Sequence, residues 1–270
     1  MTNRQFSYAK LAIALILTLV SVSLSAGDKR KRKMVYEYTQ EYAFSGVRSV
    51  IVKSESSKLY RNRATGEIDV RIVQSKDEKV VVAVVWKDDA DVFKIEKIGN
   101  TLKLNAGDKE VGAAGHPDRP EALVTIYTKD IYRIEMGGAN KLTASGYFTG
   151  KSMTLNIYGA SEVNGLNGRW NDLNIRLSGA ADLSMPKVEA NNVNLQCADA
   201  SDCKIAGKGG SFKIEASGSV DVEAENFVVK DVEAKLKGAA DVTVNATGTV
   251  KYTATGSADF DWVGTPQVIR

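Results

Sequence analysis

Six carboxylates recur at one position of a repeating phrase: Glu162, Asp182, Asp202, Asp221, Asp241 and Asp259, with Lys141 at the head of the series. Each stands three residues after a corner residue: Gly138 precedes Lys141, and Gly159, Gly179, Asp199, Gly218, Gly238 and Gly256 precede the acids. If the residues between them form equal coils, these side chains stack in one outward column. Carboxylates supply hard oxygen ligands, so the column could hold a ladder of divalent cations, calcium first among them. The alternative is structural, because Asp in a turn commonly splays into solvent or hydrogen-bonds nearby backbone. Neighbours one strand spacing apart repel by roughly 0.9 kcal/mol in bulk water, so some compensation is expected. The nine-residue calcium repeat of RTX proteins is absent. Both readings stay open.

Other reactive residues are sparse. Cys197 and Cys203 fall on inward positions either side of one corner, where they serve either as small core hydrophobes or as a disulfide that an exported protein could keep oxidised. Two Cys with no His nearby make no zinc cage. The one His, His116, lies beside Pro117 in a Gly-rich stretch and reads as an exposed loop residue. Polysaccharide cleavage would need acids at a defined separation, or calcium-binding acids with a strong base. No Ser-His-Asp set, phosphate loop, His-Glu-x-x-His or dinucleotide fingerprint is present. We therefore expect no catalytic residues and no cofactor, with calcium the one candidate.

The elements that carry the acid column are legible from its surroundings. The phrase Gly-Ala/Ser recurs seven times, at steps of 21, 20, 20, 19, 20 and 18 residues. Two, four and six residues before each corner the chain is apolar, as in Leu177, Ile175 and Leu173, while Arg176 and Asn174 between them are polar. This alternation is that of a strand with one face inward. Beyond the corner it resumes with Leu142, Val163, Leu183, Cys203, Val222, Val242 and Phe260. Each period thus predicts a strand, a corner, a second strand and a less regular third side. Gly supplies positive φ at the corner, and Asp199 tolerates that region better than most residues. A small residue after it is expected where neighbouring coils crowd. A leucine-rich repeat would need an Asn column and a helical side, and here the column is Gly. The fold class is all-β: a parallel β-helix, or β-solenoid, of about seven turns of ~20 residues, preceded by less regular β-turns. With coils about 4.8 Å apart, seven turns span roughly 34 Å.

Residues 41–130 read as a β-rich start of the same body, with strands near 47–52, 68–73, 80–86, 93–96, 101–104 and 122–128 and an exposed loop over 105–121. Residues 131–262 carry the regular repeats, so 41–266 is expected to be one solenoid domain with a tail at 267–270. Residues 1–26 have the charge, apolar run and small residues of an export signal, cleavable after Ala26. The apolar run is short for a membrane span of about 20 residues, although the basic run Lys29-Arg30-Lys31-Arg32-Lys33 lends an uncleaved anchor some weight. Residues 27–40 are read as a basic, flexible lead-in. Loss of Arg4 and Lys10 with the signal takes the formal charge from +3 to +1, and a nearly neutral chain lacks the basic face that nucleic acid requires.

The segment Phe44-Ser45-Gly46-Val47, the strand Val124-Thr125-Ile126-Tyr127, the Gly-Ala/Ser phrases and the ending Asp261-Trp262-Val263-Gly264-Thr265-Pro266 together resemble the head GIN domain family of bacterial envelopes, over residues 41–266. The departures are Asp199 and Asn140-Lys141. The resemblance implies an exported β-solenoid with an adhesin description and no defined ligand. An auto-transporter also needs a membrane barrel of many strands of about ten residues. The chain stops soon after its last repeat, so no translocator is expected. The function expected is non-enzymatic binding or spacing at the envelope, in the periplasm, on the outer membrane or outside the cell, with a glycan or an envelope protein as partner and no membrane span after cleavage. A carbohydrate-active enzyme and an accessory interaction domain are the alternatives.

Overall fold

In a computed structural model of the protein, residues 36–54, 63–110 and 121–269 are described. The export signal, residues 27–35 of the lead-in and His116 lie outside them. The fold is a parallel β-solenoid, and one 3-10 helix, Lys87–Val92, is the sole helix among the described residues. No helix there is long and apolar enough to cross a membrane, which says nothing of strands.

All seven corner residues have positive φ: Gly138 93°, Gly159 77°, Gly179 81°, Asp199 68°, Gly218 105°, Gly238 88° and Gly256 85°. Asp199 is the one non-Gly residue among those described to do so. Close stacking adds a second demand. A Cβ on Gly218 would stand 2.5 Å from the Asp199 carbonyl oxygen, and one on Gly159 would stand 2.6 Å from that of Gly138. Asp199 keeps its Cβ, and its carboxylate accepts the Gly179 N–H at 2.9 Å. From the second corner onward, the residue after the corner donates to the corner carbonyl one coil back, as Ala180 does to Gly159 at 2.8 Å. The ladder therefore runs unbroken through the bend.

One expectation about the corner changes. The residue directly after it is exposed in every coil, so burial does not account for the Ala or Ser there. The crowded place is one residue further on, where Asn140, Ser161, Ala181, Ser201, Val220 and Ala240 are all buried.

Between corners the chain is mostly one long strand: Asp182–Asp199, Asp202–Gly218, Asp221–Gly238 and Asp241–Gly256. Each leaves a corner, bends through the third side and enters the next coil's inward face without a break. The third side is thus strand as well, and it carries buried Phe148, Trp170, Val188, Phe227 and Val229. Register shifts fall there, between Met185 and Val188, Lys204 and Gly207, and Ala224 and Val228. The unequal repeat lengths are absorbed on this side, while the two faces flanking the corner stay in register.

Inward columns run the length of the stack. Ile134, Leu155, Ile175, Leu195, Ile214 and Ala234 are buried before the corner, and Leu142 to Phe260 are buried after it. Exceptions are local. Tyr132 is exposed while Ile131 takes the core. At Gly165 the backbone turns to φ 74° and Leu166 is buried instead. Ala254 is exposed in the final coil.

The first half belongs to the same stack but not in chain order. Strand Ser49–Ser54 lies between Arg133–Met136 and Thr101–Ala106, parallel to both. On the other sheet Glu67–Gln74 lies between Lys141–Ser145 and Glu121–Thr128. The coil drawn from residues 49–74 is therefore sandwiched between the coil of 101–128 and the first regular repeat. The outermost coil is covered by antiparallel strands, Phe93–Ile98 on one sheet, and Lys79–Val84 followed by Tyr38–Tyr42 on the other. Antiparallel covers blunt an edge that would otherwise invite further pairing. The lead-in consequently ends at Tyr38 rather than at residue 40. At the other end Gln267–Ile269, expected as tail, form a strand parallel to Thr249–Lys251.

Candidate functional site

The acid column exists as read, and it is longer. Backbone register aligns Lys141 with Glu162, then Asp182, Asp202, Asp221, Asp241 and Asp259. On the other side of Lys141 it aligns Asp69. Lys141 thus sits inside the column rather than at its start, and its Nζ pairs with Glu162 at 2.7 Å. Asp69 was discoverable, because Gly66-Glu67-Ile68-Asp69-Val70 has the same Gly-x-x-Asp-Val form as Gly238 to Val242. The clue was hidden because this copy stands far outside the twenty-residue step.

From Asp182 onward the acids are exposed, and Glu162, Asp182, Asp202 and Asp221 line a shallow groove that also includes Leu183 and Cys203. Burial, then the Asp202 and Glu162 charges, push the Asp182 carboxyl above its usual range. Asp221 is raised by burial first, then by Asp241, Glu223, Asp202 and Glu225. Compensation comes from the neighbouring row, where Lys204 pairs with Glu223. Asp259 instead accepts the backbone N–H of Phe260 at 2.9 Å. Among the described residues no three His, Cys, Asp or Glu side chains converge into a group that could hold a metal ion.

Cys197 and Cys203 are both buried free thiols. Burial drives the Cys197 thiol up to about 12, against a hydrogen bond to Ser201 that works the other way. Burial likewise lifts Cys203 well above its ordinary value.

An ordered polar surface covers the outer side of the strands before the corner. There Asn156, Arg176, Gln196, Glu215 and Lys235 stand in register, one per coil. Arg176 Nε donates to Gln196 Oε1 at 2.9 Å, and Gln196 Nε2 donates to Glu215 Oε2 at 3.3 Å. Lys213 Nζ lies 3.2 Å from Glu215. Beside this row stand Thr154, Asn174, Asn194, Lys213 and Glu233. Rows and columns repeat at about 4.8 Å along the stack and about 6.7 Å along the strand. Sequence alternation marked these residues as outward and polar, but only register shows which of them adjoin. Such a grid can present amides, a guanidinium and ammonium groups at fixed spacing to a flat ligand.

A parallel solenoid covered by antiparallel strands at one end, with an acid column and a polar grid on its outer faces, defines the class. The chain belongs to the head GIN domain family, whose description is putative auto-transporter adhesin, and whose profile matches residues 63–266. Among solved structures it is similar to a putative adhesin from Parabacteroides distasonis, with 17% identity, 86% of this chain and 95% of that one covered, and a TM-score of 0.66. A putative adhesin from Parabacteroides merdae is 13% identical, with 86% and 96% covered and a TM-score of 0.65. A protein from Parabacteroides distasonis described as a putative lipid binding protein is 17% identical, with 86% and 96% covered and a TM-score of 0.62. At these identities the likeness is one of fold. No curated protein matches the sequence.

Proposed function

We propose that the protein is an exported, non-enzymatic adhesin-like module that binds a surface glycan of the envelope through the polar face before the corner. The observation that carries this reading is the register-locked row Arg176–Gln196–Glu215, already held by side-chain hydrogen bonds before any ligand arrives. A surface ordered in advance loses little conformational entropy on binding. The carboxylates of the acid column, by contrast, stand in a single file, one per coil. The family's adhesin description and the adhesin neighbours agree with this reading.

The test is a glycan array with the mature protein, followed by Arg176→Ala and Gln196→Ala. Binding that both substitutions weaken, with no product formed, supports the reading. Product formation overturns it in favour of a carbohydrate-active enzyme. Silence on every glycan, with a specific protein captured from envelope extract, points to an accessory interaction domain. Export is tested separately: the mature protein should begin at Gly27, and protease added to intact cells should distinguish a periplasmic from a surface location.

A further inference from the structure

We infer that the polar face before the corner takes an acidic glycan, one whose sugars carry carboxylates. The inference rests on the glycan reading above and names the class of sugar. Its first support is charge. In the outward row nearest the corner stand Lys53 and Lys237. The next row carries Lys103, Arg176 and Lys235 with Glu135 and Glu215. The third carries Arg133, Lys213 and Lys251 with Glu233. Eight cations thus share the face with three carboxylates.

Each of those carboxylates is already paired on the same face. Glu135 lies 2.7 Å from Arg133 and 3.7 Å from Lys53, Glu215 lies 3.2 Å from Lys213, and Glu233 lies 4.0 Å from Lys235. The surplus is therefore wholly positive. Beyond the corner the balance reverses, since the column from Asp69 to Asp259 holds one cation, Lys141. The near-neutral total of the chain hides a basic strip beside an acidic one. Its three rows are about 6.7 Å apart, so the basic strip is about 13 Å wide. A single extended chain fits it, whereas a wider polyanion such as duplex nucleic acid would also meet the acid column and be repelled.

Two further features select a sugar among anions. Between the cations stand the amides Asn156, Asn174, Asn194 and Gln196. An amide both donates and accepts, as neighbouring hydroxyl groups require. Tyr158, in turn, lies across buried Gly137 on the adjoining strand: a Cβ there would stand 1.9 Å from Tyr158 Cε2 and 2.2 Å from Cζ. Gly137 thus makes room for the ring, which is half-buried and gives an apolar surface to an otherwise polar strip. A pyranose ring stacked on Tyr158 sets its carboxylate beside Lys53, and the next sugar along the strip reaches Arg176. Arg176 spends Nε on Gln196, and its terminal nitrogens suit a carboxylate.

The test is calorimetric titration of the mature protein with oligogalacturonate, its methyl ester and polyglutamate in calcium-free buffer. Saturable binding of oligogalacturonate is expected, at least about tenfold tighter than the ester, and weakening as salt rises from about 0.1 to 1 M. Arg176→Ala should weaken it about tenfold, and Arg176→Lys should recover part, because the charge returns without the fork. Tyr158→Ala should weaken it about three- to tenfold. Melting curves accompany each variant, and if Tyr158→Ala unfolds the chain, the Arg176 pair decides. Equal binding of the methyl ester overturns the proposal, as does equal binding of polyglutamate, which carries charge without sugar. Binding indifferent to both Arg176 and Tyr158 overturns it too. If oligogalacturonate fails while the array gives neutral glycans, this inference falls and the glycan reading stands; silence from both ends both.

Discussion

The strongest constraint on any single residue falls at the corners, where positive φ and a carbonyl one coil away act together. Gly218→Ala should cost about 1–3 kcal/mol, since the new Cβ meets the Asp199 carbonyl in a strained backbone. Asp199→Gly should change stability by less than about 1 kcal/mol, trading an exposed hydrogen bond for an easier φ. Urea denaturation of the two variants checks the pair, and a larger loss for Asp199→Gly would contradict it. The cysteines make a second case. Because the thiolate is the reactive form and burial disfavours it, neither thiol should react with a disulfide reagent in the native protein. Both should titrate once it is unfolded, whereas a disulfide would leave none.

At the scale of elements, the junction between the regular repeats and the out-of-order coil depends on Asn140. Its Oδ1 accepts from the Ile68 N–H and the Ser54 hydroxyl, both at 2.9 Å, and its Nδ2 donates to the Gly137 carbonyl at 2.6 Å. Asn140→Ala would leave buried backbone unpaired and should destabilise by about 1–3 kcal/mol. Hydrogen exchange should localise the loss to Ile68 and its neighbours. The departure from the phrase at Asn140 was legible in the sequence. Its purpose was not, because the partner strand comes 72 residues earlier and only the stack brings it alongside.

Across the whole molecule the acid column sums into one electrostatic feature. The folded state holds the Asp221 proton more tightly than the unfolded chain, so this group lowers stability as pH rises through its raised folded value. Asp221→Asn should therefore raise the melting temperature at pH 7, by roughly 0.2–1 kcal/mol of stability in keeping with exposed charge pairs. The gain should fade as pH falls toward the ordinary 3.8. Calcium at millimolar concentration should leave the melting temperature unchanged, given no converging trio among the described residues. Saturable heat with a melting shift would restore the cation ladder.

The sequence by itself determined the coil, its corners and its inward and outward faces, because these rest on local rules: a period of two along a strand, and positive φ at Gly. It also marked the acid column from Glu162 to Asp259. Only the tertiary structure decided that residues 49–74 insert between two later segments, and that Asp69 joins the column. Those facts depend on pairing between strands distant in the chain. Edge strands such as Tyr38–Tyr42 and Phe93–Ile98 carry the same alternation whichever neighbour they choose, so their partners are set by which edge the rest of the fold leaves open.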